Sequence, residues 1–240
     1  MLAKIKMELE GEGLNINMGS LFHGYMMRKI DPAFAEYFHH NSTNPFTSCV
    51  YKEKDSKKFF WKITTYNKKA YDMIVPYFLE DKVINIYLEN KNLEVIVKSF
   101  SLVKTSFEDL YLNEERKNKL NLITPTSFKS DGYTRIFPNI STLMMGVINK
   151  INHHSDTVKL EDERIISEFL EKVYIHDYNL RTQVFHLEKI KVKGFIGSMN
   201  LGIAENNPVL INMLNFLIRV SEYTGLGIKT ALGMGGIEIG

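Results

Sequence analysis

The hydrophobic and polar positions of the chain follow two periods, and the same order of periods occurs twice. Alternation with period two predicts strands, whereas apolar positions three or four residues apart predict helices. The first half predicts a strand, a helix, two strands, a helix and two alternating segments, near 2–9, 19–30, 46–53, 57–65, 67–80, 83–88 and 93–103. The second half predicts a strand, two helices, two long alternating segments, a helix and a last strand, near 119–127, 140–152, 161–173, 178–192, 194–203, 207–222 and 233–239.

Each half approximates the order β-α-β-β-α-β, which is the ferredoxin-like order. We therefore predict an α+β protein with two tandem ferredoxin-like subdomains, residues 1–112 and 113–240. No linker rich in Pro, Gly or Ser separates the halves, so we expect them to pack closely. The helices of such a unit cover one sheet face, and the other face is left open to RNA or to another chain.

Composition adds limits to this picture. The chain has 240 residues, of which 44% are hydrophobic and 24% are charged, as in ordinary globular proteins. The single cysteine, Cys49, excludes a disulfide scaffold and any metal site built on two or more thiolates. No apolar run approaches the ~18 residues of a membrane span, and the N-terminus does not resemble a signal peptide. We therefore expect a soluble, cytoplasmic protein.

Charge is concentrated locally although the net charge is only +2. Residues 52–69 contain seven lysines against one Glu and one Asp, a net of +5, and aromatic residues are interleaved with them. Residues 181–193 carry four cations against one Glu, a net of +3. A lysine run is often only a solvated face, but a basic patch concentrated by the fold binds phosphate backbones. The candidate RNA contacts in the first run are Lys52, Lys54, Lys57 and Lys58.

The C-terminal stretch contains two Gly-apolar-Gly triplets separated by five residues. It is not a Walker loop, because Ile228 precedes Lys229 and the stretch leads into a strand. Glycines allow positive φ and close approach of another chain, and their N–H groups can cradle phosphate oxygens beside the charge of a lysine. The alternative interpretation is a tight structural turn. The candidate RNA contacts here are Gly225, Gly227, Lys229, Gly233 and Gly235.

The glycine spacing resembles the C-terminal loop of the RAMP superfamily of CRISPR-associated proteins. More specifically, the chain resembles the sixth Cas family, endoribonucleases that cut CRISPR precursor transcripts within their repeats. The resemblance extends over nearly the whole chain, and three further segments support it: 21–25 (LFHGY), 38–40 (FHH) and 123–129 (ITPTSFK). It implies CRISPR repeat RNA as the partner and cleavage without metal or cofactor. It also allows association with a CRISPR effector complex or a homodimer.

The reaction implied by the resemblance is attack of a ribose 2′-OH on the adjacent 3′ phosphate. It requires a base, an acid and positive charge at the phosphorus, and histidine suits both proton transfers. The family often carries a histidine just after its first helix, and His40 matches that position best, with His39 as its rival. Some members carry a lysine a few residues later, but residues 41–45 have no charge.

Further candidates lie on the predicted first helix. Tyr25 is at the position where some members place a tyrosine, and Arg28 and Lys29 follow it by three and four residues, on the same helix face. His23 is a reserve candidate for proton transfer. The pair His153-His154 is interpreted instead as the polar end of a helix.

Two other functions compete with RNA cleavage. The chain can be a RAMP-type subunit that binds CRISPR RNA without cutting it. It can also be an unrelated ferredoxin-like metabolic enzyme whose glycine stretch holds a small phosphate ligand. The histidines on and after the first helix favour cleavage, and the lysine-aromatic run disfavours the metabolic enzyme.

Overall fold

The computed structural model describes residues 1–32, 43–54, 56–80, 85–130, 132–187 and 190–239. Its first half forms one five-stranded antiparallel sheet in the order β2-β3-β1-β5-β4. The elements of this half are β1 (Leu2–Glu10), α1 (Gly19–Lys29), β2 (Phe46–Lys52), β3 (Phe59–Thr65), α2 (Lys68–Glu80), β4 (Asn85–Leu88) and β5 (Leu93–Thr105). Without β4, which pairs only with β5, this is the ferredoxin-like order.

The second half forms a four-stranded antiparallel sheet in the order β11-β6-β10-β9 and a separate hairpin, β7-β8. Its elements are α3 (Phe107–Leu112), β6 (Lys119–Thr126), β7 (Phe128–Ser130), β8 (Tyr133–Arg135), α4 (Ile140–His154), α5 (Glu163–Lys172), β9 (Val173–Leu187), β10 (Ile190–Ile203), α6 (Pro208–Thr224) and β11 (Ile237–Ile239). The main sheet again has the ferredoxin-like order. The prediction of two tandem ferredoxin-like subdomains is confirmed.

Local sequence explains where α6, the helix that leads to the C-terminal glycine-rich stretch, begins and ends. α6 begins after Asn207, whose side chain accepts a hydrogen bond from the N–H of Val209 at 3.0 Å, and Pro208 occupies its first turn. Both residues are typical of helix starts. The helix ends at Gly225, which has φ of 62°, a backbone conformation that favours glycine.

Some element predictions were wrong in position. The last strand begins at Ile237 rather than near residue 233, and the reversal between β9 and β10 falls between Leu187 and Ile190 rather than near residue 193. α3 and the β7-β8 hairpin were not predicted. α3 packs against α6 of the second half, although its residues precede the predicted boundary, and the division at residues 112 and 113 stays a prediction.

Each subdomain has its own apolar core beneath its sheet. Phe22, Trp61 and Ile74 are fully buried in the first, and Ile148 and Phe216 are buried in the second. Within the described part of the chain, no helix is both long and apolar enough to cross a membrane.

Candidate functional site

The glycine-rich stretch 225–236, called the glycine loop below, packs against the end of β6. The N–H of Gly235 donates to the carbonyl of Pro125 at 3.0 Å, and the N–H of Gly236 donates to Oγ1 of Thr124 at 2.8 Å. The N–H of Ile228 donates to the carbonyl of Ser127 at 2.9 Å. Two of the segments that carried the family resemblance, 123–129 and the glycine loop, therefore form one structure.

The glycine loop also contacts the first subdomain. A Cβ atom on Gly19, at the start of α1, would lie 2.5 Å from the Cα of Gly233. Ala231 is buried in the core of the first subdomain, and a Cβ on Gly236 would lie 2.7 Å from Sγ of Cys49 in β2. The glycine loop thus lies between the two subdomains.

The loop glycines are explained by contacts within the protein rather than by the expected close approach of another chain. Gly227 has φ of +76°, and a Cβ there would lie 2.0 Å from the carbonyl oxygen of Ser127. Gly235 has φ of +66°, and its Cβ would lie 2.0 Å from the carbonyl oxygen of Leu226. Both contacts are with the protein's own backbone, so these glycines are required by packing.

The structure also corrects the prediction that the N–H groups of the loop glycines are available to phosphate oxygens. The N–H of Gly225 donates to the carbonyl of Ser221 at 2.8 Å, and that of Gly235 is bonded to Pro125. Both residues and Gly233 are buried, whereas Gly227 and Lys229 are half-buried. The N–H groups of Gly225 and Gly235 therefore do not form the phosphate cradle, and RNA contact at Gly227 and Lys229 stays a prediction.

On α1 the structure separates the candidates by burial. Tyr25 is buried in the core, its hydroxyl oxygen lies 3.2 Å from that of Tyr77, and its ring meets that of Trp61 edge-on. Lys29 is exposed, and its Nζ lies 5.8 Å from the centre of the Tyr25 ring. Arg28 is exposed as well. The two cations are therefore open to a ligand, whereas the tyrosine is mainly part of the core.

His23 is half-buried, and its ring stacks on Phe46 with centroids 5.8 Å apart. His39 and His40 lie outside the described residues. Their roles remain predictions.

The chain re-enters the described region at Thr43, beside the second subdomain. Oγ1 of Thr43 lies 3.0 Å from Nε2 of His154, at the end of α4. The hydroxyl of Tyr66 donates to the carbonyl of Asn44, and its N–H donates to the carbonyl of Pro45 at 2.9 Å. The segment that carries His39 and His40 therefore ends at a point held by both subdomains.

His154 ends α4, as the sequence predicts, but it is buried rather than solvated. It is 8% exposed, with its ring edge-on to Tyr66. Burial, helped by the charges of His153, Lys150 and Lys159, lowers the pKa of His154 to about 4. The imidazole is therefore neutral at neutral pH and acts as a hydrogen-bonding group.

The lysine-aromatic run is divided into two layers. Lys52, Lys54, Lys57 and Lys58 are exposed. The aromatic side chains of Tyr51, Phe60 and Trp61 are buried, so they pack beneath the hairpin and do not stack on bases. Lys58 is already paired, with its Nζ 2.9 Å from Oε1 of Glu8.

Two of these lysines line a cavity of about 580 Å³ that both subdomains form. Lys52 and Lys54 come from the first subdomain, and Lys119 and Arg181 come from the second. One carboxylate, that of Glu238, faces the same space and accepts a hydrogen bond from the Tyr51 hydroxyl at 2.6 Å. The cations outnumber the acid, so the cavity suits a polyanion.

Arg181 belongs to the second basic run, so the sequence contained a signal for it. No sequence signal pointed to Lys119, because only strand pairing and the contact between subdomains bring it close to Lys52 and Lys54.

A further cation lies at the first residue of the glycine loop. Nζ of Lys150 donates to the carbonyl of Thr224 at 2.7 Å and to that of Gly225 at 3.3 Å. Burial lowers its pKa to about 8. Lys150 lines a second cavity, of about 530 Å³, together with Gly225 and Gly227. The half-buried side of the glycine loop therefore faces a space that contains a cation.

Comparison with known proteins shows which family this chain is similar to. The sequence model described as CRISPR-associated endoribonuclease Cas6 matches residues 120–237, a range that contains all but the first residue of β6 and the whole glycine loop. The chain is 26% identical over 229 residues to the CRISPR-associated endoribonuclease Cas6 of Streptococcus thermophilus, which covers 91% of this chain and 89% of the relative. It is 24% identical over 227 residues to that of Mycobacterium tuberculosis, which covers 92% of this chain and 71% of the relative.

Among solved structures, Cas6 of Thermus thermophilus in a product complex resembles this fold, with a TM-score of 0.83. The match covers 100% of both chains at 21% identity. At this identity the likeness concerns the fold, and the tandem ferredoxin-like arrangement is the feature that the two chains share.

Proposed function

We propose that this chain is a CRISPR-associated endoribonuclease of the Cas6 family, which binds repeat RNA along the cleft between its subdomains and cuts it beside α1. The enzyme cleaves CRISPR precursor RNA within the repeats and so produces guide RNAs for antiviral defence. The observation that carries the proposed location is the glycine loop, which is held between β6 of one subdomain and α1 and β2 of the other. We also propose that the enzyme is located in the cytoplasm.

The reaction forms a bond between the 2′-oxygen and the phosphorus and breaks the bond between the phosphorus and the 5′-oxygen. A base accepts the proton of the 2′-OH, and an acid protonates the departing 5′-oxygen. The products are a 2′,3′-cyclic phosphate and a 5′-OH end. Because the nucleophile belongs to the RNA, the protein has to supply only proton transfer, charge and alignment.

We assign proton transfer to His40, with His39 and His23 as alternatives. The segment that carries His40 ends at Thr43, which the second subdomain holds through His154. Arg28 and Lys29 are exposed at the end of α1, where that segment begins. Their charges are therefore assigned to the phosphate that becomes pentavalent, a role that fixed cations fill in phosphoryl transfer.

Tyr25 has a smaller part in this assignment than the sequence suggested. Its hydroxyl shares a hydrogen bond with Tyr77 and its ring is buried. We propose that it supports α1 and the position of Lys29 rather than exchanging a proton with the RNA.

The test uses labelled repeat RNA with the full chain in EDTA. We expect cleavage in EDTA, a cyclic phosphate end and no cleavage when the scissile nucleotide is 2′-deoxy. Cleavage of the deoxy substrate would overturn the mechanism. Binding of the RNA without cleavage would instead favour the non-cutting RAMP subunit, and neither binding nor cleavage would favour the metabolic enzyme.

The residue assignment has its own experiment. A general acid or base typically contributes about 10²–10⁴-fold, so His40→Ala should slow single-turnover cleavage by that factor and leave the Kd for RNA nearly unchanged. His39→Ala is the matched control, and it should slow cleavage less than His40→Ala. Full activity of His40→Ala would move the assignment to His39 or His23.

A further inference from the structure

The lysine-aromatic run contains one lysine that is not on the surface. Lys62 lies in β3, and its side chain is 2% exposed. Its ammonium group donates to the carbonyl of Ile237 in β11 and lies 3.8 Å from Oε1 of Glu222 in α6. The run therefore contributes a buried contact from the first subdomain to the second.

The two partners of Lys62 stand on either side of the glycine loop. Glu222 precedes Gly225 by three residues, and Ile237 directly follows Gly236. A neighbour in the same strand adds a third contact, because the hydroxyl of Thr64 donates to the carbonyl of Tyr223. One strand of the first subdomain thus holds both ends of a loop that belongs to the second.

The position of Lys62 is expensive in free energy. Burial lowers the pKa of Lys62, and the charge of Glu222 acts against this change. Glu222 is itself shared with Lys4, whose Nζ lies 2.9 Å from Oε2. A buried pair of this kind is often no more stable than apolar residues of the same volume. We therefore expect the contacts of Lys62 to fix the geometry of the loop rather than to add stability, because each hydrogen bond or ion pair has a defined length and direction.

We propose that Lys62 is a positioning residue for RNA cleavage, which holds the two ends of the glycine loop against the first subdomain and so sets the loop's place relative to α1. This inference rests on the proposed function. The glycine loop contacts Gly19 at the start of α1, and the charged end of the same helix carries Arg28 and Lys29. A displacement of about 1 Å between reacting groups can cost ~10²-fold in rate.

The test compares Lys62→Met with the double variant Lys62→Met, Glu222→Gln. Methionine keeps the length of the apolar stem and removes the ammonium group. The double variant also neutralises the carboxylate that would otherwise lose this partner, so it is expected to fold even where the single variant does not. The matched control is Lys98→Met, which breaks an exposed pair with Glu10 (2.6 Å) in the same sheet.

Three quantities are measured for each folded variant at a temperature well below its melting point: the single-turnover cleavage rate with saturating RNA, the Kd for the RNA and the fraction of folded protein. We expect a loss of about 10-fold or more in the rate per folded molecule for the double variant, with little change for Lys98→Met. Lys62→Arg, which keeps a charged donor, should recover part of the rate.

Wild-type rate in the double variant would overturn the inference, and so would a loss that disappears when the rate is divided by the folded fraction. Either result leaves the proposed function intact, because the wild-type protein still cuts the RNA. Failure of the wild-type protein to cut any repeat RNA would instead count against the proposed function.

Discussion

Gly227→Ala tests whether the glycine loop needs its glycines in order to fold. Gly227 has φ of +76°, and the added Cβ would lie 2.0 Å from the carbonyl oxygen of Ser127. That carbonyl also accepts the N–H of Ile228, so it cannot move away without breaking the bond that joins the loop to β6. The substitution therefore combines backbone strain with a collision against backbone.

The magnitude follows from two contributions. A residue with a Cβ in the left-handed region costs about 1–2 kcal/mol. Relieving the overlap by a shift of the packed backbone costs a further ~1–3 kcal/mol. The sum is on the order of 2–5 kcal/mol, and for a chain of this size each kcal/mol lowers Tm by about 2–4 °C. We expect Gly227→Ala to lower Tm by about 10 °C.

Two other glycines separate these contributions. Gly13 has φ of +70° with nothing within 4 Å of an added Cβ, so Gly13→Ala reports strain alone and should lower Tm by about 2–8 °C. Gly146 lies in α4 with open space around it, so Gly146→Ala should stabilise the helix by about 0.5–1 kcal/mol.

The assay is thermal unfolding of the three variants beside the wild type, followed by RNA binding of those that remain folded. Equal melting of Gly227→Ala and Gly13→Ala would refute the packing argument. A Gly227→Ala protein with wild-type melting and greatly weakened RNA binding would show instead that the glycines serve the approach of RNA to the backbone.

Three further outcomes are expected. Because burial lowers the pKa of His154 to about 4 from 6.5, the unfolded chain binds the proton first, and stability present above pH 6.5 should fall by up to about 3 kcal/mol as pH drops to 4. Denaturant melts of His154→Gln across that range should have a smaller pH slope, and an unchanged slope would assign the acid destabilisation to other groups. Replacing the exposed lysines of the β2-β3 hairpin by alanine should flatten the dependence of log K on log salt by about 0.7 for each RNA phosphate that the protein no longer neutralises; the residues are Lys52, Lys54, Lys57 and Lys58. Arg181→Ala should flatten the same salt dependence if the cavity shared by the subdomains binds RNA, whereas an unchanged slope would show that RNA does not contact this cavity.

The hydrophobic periodicity of the chain was sufficient to predict the helices and strands that have one buried face. β1 alternates buried and partly exposed residues over Leu2–Glu10, and α6 carries its start and stop residues in the sequence. The pattern was insufficient where an element is short or where alternation runs through a turn. α3 has only six residues and β7 only three, which is too short for a period to appear, and apolar alternation continues on both sides of the reversal between β9 and β10.

Local sequence was enough to establish the fold class, the family resemblance and the segments that carry it, because these depend on short periods and on the spacing of particular residues. The packed structure was needed to establish what each candidate side chain does. Lys62 and Lys58 belong to the same run, yet one is buried against the second subdomain and the other pairs with Glu8 at the surface. Tyr25 was a candidate on its helix position and became a core residue, because its burial depends on Trp61 and Tyr77, which are distant in the chain. Contacts between residues far apart in sequence leave no local period, so only the packed chain distinguishes a cation that faces RNA from one that holds the loop.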